Sequence, residues 1–163
     1  MNGSQRRKFF SSFTKPFNAR EAVTLRPPYC ADFSLFDSEC LTCKEKPCAT
    51  LCQEEIVFID EQGRPALSFE KSGCTYCDAC AKACDKEVLS FTCKSYIRAK
   101  TSIDVRDCLA WNGTICSSCS DVCDEKAIEF FGLLKPVVKS DKCTNCGFCY
   151  SICPTKAVVI KGV

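Results

Sequence analysis

The sequence predicts an α+β protein of two small tandem modules with short β-hairpins and short helices, and three observations predict it. Sixteen of the 18 cysteines fall into four close groups of four. The segments that follow the first and third groups share one strand–turn–strand pattern. Each module is too small to build a conventional core, so what the cysteines bind is expected to act as its centre.

The N-terminal element is a basic arm, residues 1–29. The formal charge of +2 over 163 residues hides an asymmetry, because residues 1–30 hold six Lys/Arg against Glu21 alone, whereas the other 133 carry 16 basic and 19 acidic side chains. The stretch Gln5-Arg6-Arg7-Lys8-Phe9-Phe10 begins as a twin-arginine export signal does. Such a signal needs an apolar run of about 7–15 residues next. Ser11 to Glu21 is instead broken by Lys15, Pro16 and Arg20. The longest apolar run of the chain, Phe130 to Leu134, is far short of the roughly 20 residues of a membrane span. A cytoplasmic protein with no membrane span is therefore expected, its thiols reduced and free to act as ligands.

Those thiols are Cys40, Cys43, Cys48 and Cys52; Cys74, Cys77, Cys80 and Cys84; Cys108, Cys116, Cys119 and Cys123; and Cys143, Cys146, Cys149 and Cys153. The second and fourth groups have the spacing C-x2-C-x2-C-x3-C, and Pro154 completes the bacterial ferredoxin run in the fourth. Three thiolates at two-residue intervals reach three corners of one [4Fe-4S] cubane, while the fourth, about one helical turn on, serves a neighbouring cluster. Structural zinc sites pair two C-x2-C hairpins or recruit histidine, and this chain has no histidine. A disulfide framework calls for an oxidising compartment. The first group has four residues between its second and third cysteines and the third has seven between its first and second, yet both keep the C-x3-C ending. Each insertion can loop outward, so four [4Fe-4S] clusters are expected, with all sixteen cysteines as metal ligands.

Between groups come two matching linkers. Ile56–Ile59 and Ala127–Phe131 read as first strands, followed by turns with Gly63, Arg64 and Pro65 or Gly132, Lys135 and Pro136, then second strands. The intervening segment, Glu87 to Asp107, has no glycine or proline and reads as a connector. Two bacterial ferredoxin-like modules follow, residues 30–99 and 100–163. Under local pairing Cys40, Cys43 and Cys48 share a cluster with Cys84, Cys74, Cys77 and Cys80 with Cys52, Cys108, Cys116 and Cys119 with Cys153, and Cys143, Cys146 and Cys149 with Cys123. The rival pairs the first group with the fourth and the second with the third. Linker similarity favours local pairing, and spacing alone leaves both open.

With every iron held by four thiolates, no position is open to a small-molecule substrate, and without histidine the commonest general base is missing, so an enzyme is not expected. Each cluster with its thiolates contributes about −2, which takes the loaded protein to about −6 and favours protein docking over nucleic acid. Tyr76, Val88, Leu89, Phe148, Tyr150 and Ile152 are expected to keep water from the clusters. Cys30 and Cys93 fall outside the groups and read as ordinary thiols, and Asn112-Gly113-Thr114 reads as a turn.

The arginine pair, Leu25-Arg26-Pro27-Pro28-Tyr29 before the first group, the four groups in order, and Cys108-Leu109-Ala110-Trp111 joined through an insertion to Cys116 resemble the ferredoxin-type NapF family, accessories of the periplasmic nitrate reductase system. The first group departs from the family pattern, which has two residues where Lys44–Pro47 stand. The resemblance implies a partner, the molybdenum-containing catalytic subunit of nitrate reductase, met in the cytoplasm before export and assisted in its maturation by electrons or iron–sulfur equivalents. The alternative is a soluble polyferredoxin carrying electrons between a dehydrogenase and a reductase. Arg6, Arg7, Lys8, Phe9 and Phe10 are then candidate partner-binding residues.

Overall fold

The computed structural model describes residues 23–30, 32–93 and 95–163. The candidate arm residues Arg6, Arg7, Lys8, Phe9 and Phe10 lie outside them. The elements in order are α1 (Leu35–Thr42), α2 (Pro47–Thr50), β1 (Val57–Ile59), β2 (Pro65–Leu67), α3 (Ala79–Lys82), β3 (Ala99–Ile103), α4 (Ser118–Asp121), β4 (Ile128–Phe131), β5 (Lys135–Val138), α5 (Phe148–Ser151) and β6 (Val158–Gly162). Short helices and three two-stranded antiparallel sheets give an α+β, ferredoxin-like architecture.

Two of the sheets are the hairpins expected from the linkers. β1 pairs with β2 from Val57 opposite Leu67 to Ile59 opposite Pro65, and β4 pairs with β5 from Ile128 opposite Val138 to Phe131 opposite Lys135. Their turns use Gly63 at φ +79° and Gly132 at φ +69°, a region where a Cβ would be strained. The first turn is also held by Asp60, whose Oδ1 accepts the backbone N–H groups of Gln62 (3.1 Å) and Arg64 (2.9 Å).

The third sheet departs from the connector reading. Ala99–Ile103 is strand β3 and pairs with β6, Ala99 opposite Gly162 and Ile103 opposite Val158. The absence of glycine and proline, taken as the mark of a connector, serves an extended strand equally well, and its β-branched Thr101 and Ile103 suit one. Ala99 is thereby paired with a residue near the end of the chain. The connector also supplies Ile97, 2 % exposed, to a core with Ile56, Val57, Leu67 and Phe69, against which Leu25 and Ile160 pack. That core draws on both halves of the chain.

Part of the segment read as an arm is in the body. Residues 26–30 are buried. Leu25 O accepts the N–H of Leu67 (2.9 Å), and Tyr29 O accepts that of Ser90 (2.9 Å). Arg26, 8 % exposed, donates to Asp60 Oδ2 (2.8 Å, Asp60 12 % exposed) and to Pro65 O (2.8 Å), with its guanidinium 5.6 Å from the Phe36 ring centroid. Burial works to raise the Asp60 carboxyl, and the Arg64 N–H and the Arg26 and Arg64 guanidinium groups outweigh it, holding it below the usual carboxylate range. Arg26→Ala takes from the half-buried Asp60 carboxylate one of its two guanidinium partners and from Pro65 O its side-chain donor, Arg64 remaining on Asp60, and is expected to cost about 2 kcal/mol. Because the folded value is depressed, this contribution is present above the ordinary carboxylate range, and the gap between wild type and variant should narrow as pH falls through the folded value. Denaturant midpoints of both proteins along a pH series measure it.

Candidate metal centres

One local structure is built four times. Cys48, Cys80, Cys119 and Cys149 are each the second residue of a four-residue helix, α2, α3, α4 and α5. Cys52, Cys84, Cys123 and Cys153 each stand two residues beyond the helix end, one turn on. Three residues later the chain turns left-handed without glycine, at Glu55 (φ 51°), Glu87 (φ 54°), Lys126 (φ 48°) and Lys156 (φ 54°). Each of these donates its N–H back to the carbonyl of the fourth cysteine, at 3.0, 3.1, 2.9 and 3.2 Å. The turn folds the backbone over the sulfur, so that Ala127 N–H reaches Cys123 Sγ (3.3 Å), Ala157 N–H reaches Cys153 Sγ (3.3 Å) and Leu89 N–H reaches Cys84 Sγ (3.5 Å). Donors of this kind on a ligand sulfur are what set cluster potential.

Four cavities result, and each is lined by four of the cysteines. Cys40, Cys43, Cys48 and Cys84 line the first; Cys52, Cys74, Cys77 and Cys80 the second; Cys108, Cys116, Cys119 and Cys153 the third; Cys123, Cys143, Cys146 and Cys149 the fourth. All sixteen grouped cysteines are used, three from one group and one from its neighbour, in the local combination. The empty space, mouths included, is about 330, 400, 350 and 370 Å³ in that order, some tenfold the ~30 Å³ of one water. Among the described residues no three His, Cys, Asp or Glu side chains converge closely enough to hold a single metal ion. Four thiols lining one cavity match the four-cysteine ligand set of a [4Fe-4S] cluster. A polynuclear cluster fits this donor set.

Burial and neighbouring thiols raise several of these cysteines. Burial, then the neighbouring cysteines of the same cavity, pushes the thiols of Cys48 and Cys119 up to about 11 and that of Cys149 up to about 12. Cys80 is pushed to about 12 by burial and then chiefly by Cys74. Cys153 is the exception: burial raises it, but the N–H groups of Thr155, Val158 and Ala157 and the Thr155 hydroxyl outweigh this and hold it below the ordinary thiol value. Thiols raised this way are protonated near neutrality, so a metal centre held here would displace their protons to solvent and loading would be coupled to proton release.

Both irregular groups reach their cavities because their insertions are tied back. In the first, Lys46 takes a left-handed conformation (φ 49°) at the start of α2, and its Nζ donates to Cys40 O and to Gly63 O (2.6 Å). In the third, Asn112 Nδ2 donates to the carbonyls of Cys108 (2.8 Å), Arg106 (3.0 Å) and Val105 (3.2 Å), Gly113 turns at φ +86°, and Trp111 Nε1 donates to Pro136 O (3.0 Å). The turn reading of Asn112-Gly113-Thr114 describes this segment well, but neither Lys46 nor Asn112 stood out in the sequence as a support of a site, since nothing local marks a side chain that bonds distant carbonyls.

Of the expected shielding residues, Val88 and Leu89 are buried with Cys40 and Cys48, and Tyr76 and Tyr150 pack on the shared core. Ile152 is 49 % exposed and shields little, because it falls on the outer side of the turn after α5. Cys30 is buried outside the four cavities, its Sγ donating to Asp32 O (3.1 Å), and burial pushes its thiol up to about 11. Cys93 also lines none of them. No described helix is long and apolar enough to cross a membrane.

Fold and cavities together define a ferredoxin-type iron–sulfur protein. Residues 114–157 match the family model of the 4Fe-4S dicluster domain. The chain is 32 % identical over 140 residues to the ferredoxin-type protein NapF of Escherichia coli K12, covering 82 % of each chain, and it belongs to that family. It is also 30 % identical over 169 residues to the ferredoxin-type protein NapG of Haemophilus influenzae, spanning 60 % of that protein. To the methylamine utilization ferredoxin-type protein MauM of Methylorubrum extorquens it is 28 % identical over 164 residues, 74 % of that protein.

Proposed function

We propose that this protein carries four [4Fe-4S] clusters in two tandem ferredoxin-like modules and acts in the cytoplasm as an accessory of the molybdenum-containing catalytic subunit of nitrate reductase before that subunit is exported. The single observation that carries the cluster reading is that each of four cavities is lined by four cysteines, three from one group and one from its partner group. Clusters held there supply one-electron chemistry without an open coordination position. The chain's own residues hold them, exclude water through Val88, Leu89 and Tyr76, and donate N–H groups to Cys84, Cys123 and Cys153. The partner reading rests on similarity to NapF and on the basic, aromatic run Arg6, Arg7, Lys8, Phe9 and Phe10 ahead of a body that becomes acidic when loaded. The second reading, a soluble polyferredoxin between a dehydrogenase and a reductase, is favoured by the hydrogen bond from Cys74 N–H of the second site to Cys146 O of the fourth (2.6 Å).

The test is anaerobic purification of the full chain and of a form lacking residues 2–20, each mixed with the precursor catalytic subunit. Both should carry about 16 irons per chain. The full chain should retain the precursor and the shortened form should lose it at least tenfold. Equal retention would remove the arm from the interface. Failure of the full chain to bind, with electrons still passed to a soluble reductase, would favour the polyferredoxin.

A further inference from the structure

The two halves meet where the second and fourth cavities face one another, and the meeting is reciprocal. Gly73, just before Cys74, lies so close to the second half that a Cβ there would come within 2.5 Å of Phe148 N and 2.6 Å of the Phe148 ring. Gly147, just after Cys146 and at φ +92°, lies so close to the first half that its Cβ would come within 2.3 Å of the Phe69 ring. Each half thus offers a glycine beside a site cysteine and receives the other's phenylalanine. The two glycines let the backbones touch, and Cys74 N–H donates to Cys146 O at 2.6 Å. Tyr76 closes the contact: its hydroxyl donates to Thr144 O (2.5 Å), and the hydroxyl is pushed up by burial and then by Cys74 and Cys146, one thiol from each site. At the rim Glu70 accepts from Tyr150 Oη (2.6 Å) and Lys156 Nζ (3.1 Å).

We propose that this double glycine–phenylalanine lock, with the Cys74–Cys146 backbone hydrogen bond at its centre, is a built electronic junction that joins the four sites into one series: first, second, fourth, third. The proposal rests on the cluster reading above. Helix α2, with Cys48, packs against α3, with Cys80; Cys74 and Cys146 meet across the junction; and α4, with Cys119, packs against α5, with Cys149, which is the order of that series. Buried glycine at both contact points is the costly choice in irregular backbone, and here it places two site cysteines one hydrogen bond apart. What crosses is a single electron, one site oxidised by one as the next is reduced by one, with no bond made or broken and no proton moved. The series leaves the first and third sites as the two ends. Gly73, Gly147, Phe69 and Phe148 are positioning residues.

The experiment uses the full chain with Cys84→Ala and Cys153→Ala, which leaves only the second and fourth sites with four cysteines. Iron analysis should find about eight irons, and electron paramagnetic resonance of the dithionite-reduced protein should show two centres broadened by each other. Adding Gly73→Ala should keep the iron and remove the mutual broadening. Eight irons with no interaction, or an interaction untouched by Gly73→Ala, would overturn the junction. In parallel, a protease sequence inserted at the exposed Phe91 of the otherwise unaltered chain is cut: the two pieces should co-elute, and Gly73→Ala or Phe148→Ala should separate them. Fewer than eight irons would count against the cluster reading itself, and the co-elution result then decides the junction alone, separation of the unaltered pieces overturning it.

Discussion

Replacing Cys84 by alanine is expected to remove about four of 16 irons and, with them, the protection of Cys40, Cys43 and Cys48 from alkylation, while Cys74, Cys77 and Cys80 stay protected. Cys84 stands in sequence with the last three of these but lines the cavity of the first three. The rival pairing, first group with fourth and second with third, would instead expose cysteines of the second half. Mass spectrometry of the alkylated peptides, set beside the iron count, separates the two. Cys153→Ala is the counterpart: Cys108, Cys116 and Cys119 become reactive and Cys143, Cys146 and Cys149 do not. A variant that loses all protection at once would show that the sites do not fill independently and would sink the prediction as stated.

Stripping iron with a chelator under reducing conditions should unfold the chain altogether, a loss of its whole stability of about 5–15 kcal/mol. The reason lies in what the cores contain. Phe36, Val88 and Leu89 pack with Cys40 and Cys48, and Ile128 and Val158 pack with Cys149, so the apolar clusters are walls of the cavities instead of separate bodies. With protonated thiols around a void, those walls have nothing to close on. Circular dichroism should lose its cooperative melt and all 18 thiols should alkylate. A stripped protein that keeps a native spectrum would show that the sheets and the Arg26–Asp60 pair suffice without the metal.

What the sequence makes legible is whatever is local. Both hairpins follow from Gly63 and Gly132 between apolar runs, and the cavity lining follows from spacing, because a C-x3-C ending throws its last thiol one helical turn away from the other three. The β3–β6 sheet is different. Its strands are separated by the entire third and fourth groups, and nothing in Ala99–Ile103 names Val158–Gly162 as its partner. The burial of residues 26–29 is hidden for a related reason, since an arginine before two prolines signals a solvated arm until Asp60 and Pro65 are seen beneath it. The lock at Gly73 and Gly147 depends on two close approaches between remote segments, and in the sequence each glycine looks only like part of a cysteine loop.

The division of the cysteines also imposes a timetable. Both cavities of the first half have all four residues once Cys84 has been made, whereas both cavities of the second half wait for Cys149 and Cys153. At about 5–20 residues per second, the roughly 70 residues in between take about 4–14 s. For that interval a nascent chain carries a first half whose Leu25 and Phe69 have no Gly147 or Ile160 to cover them. Apolar surface that the finished protein buries between its halves therefore faces solvent for those seconds.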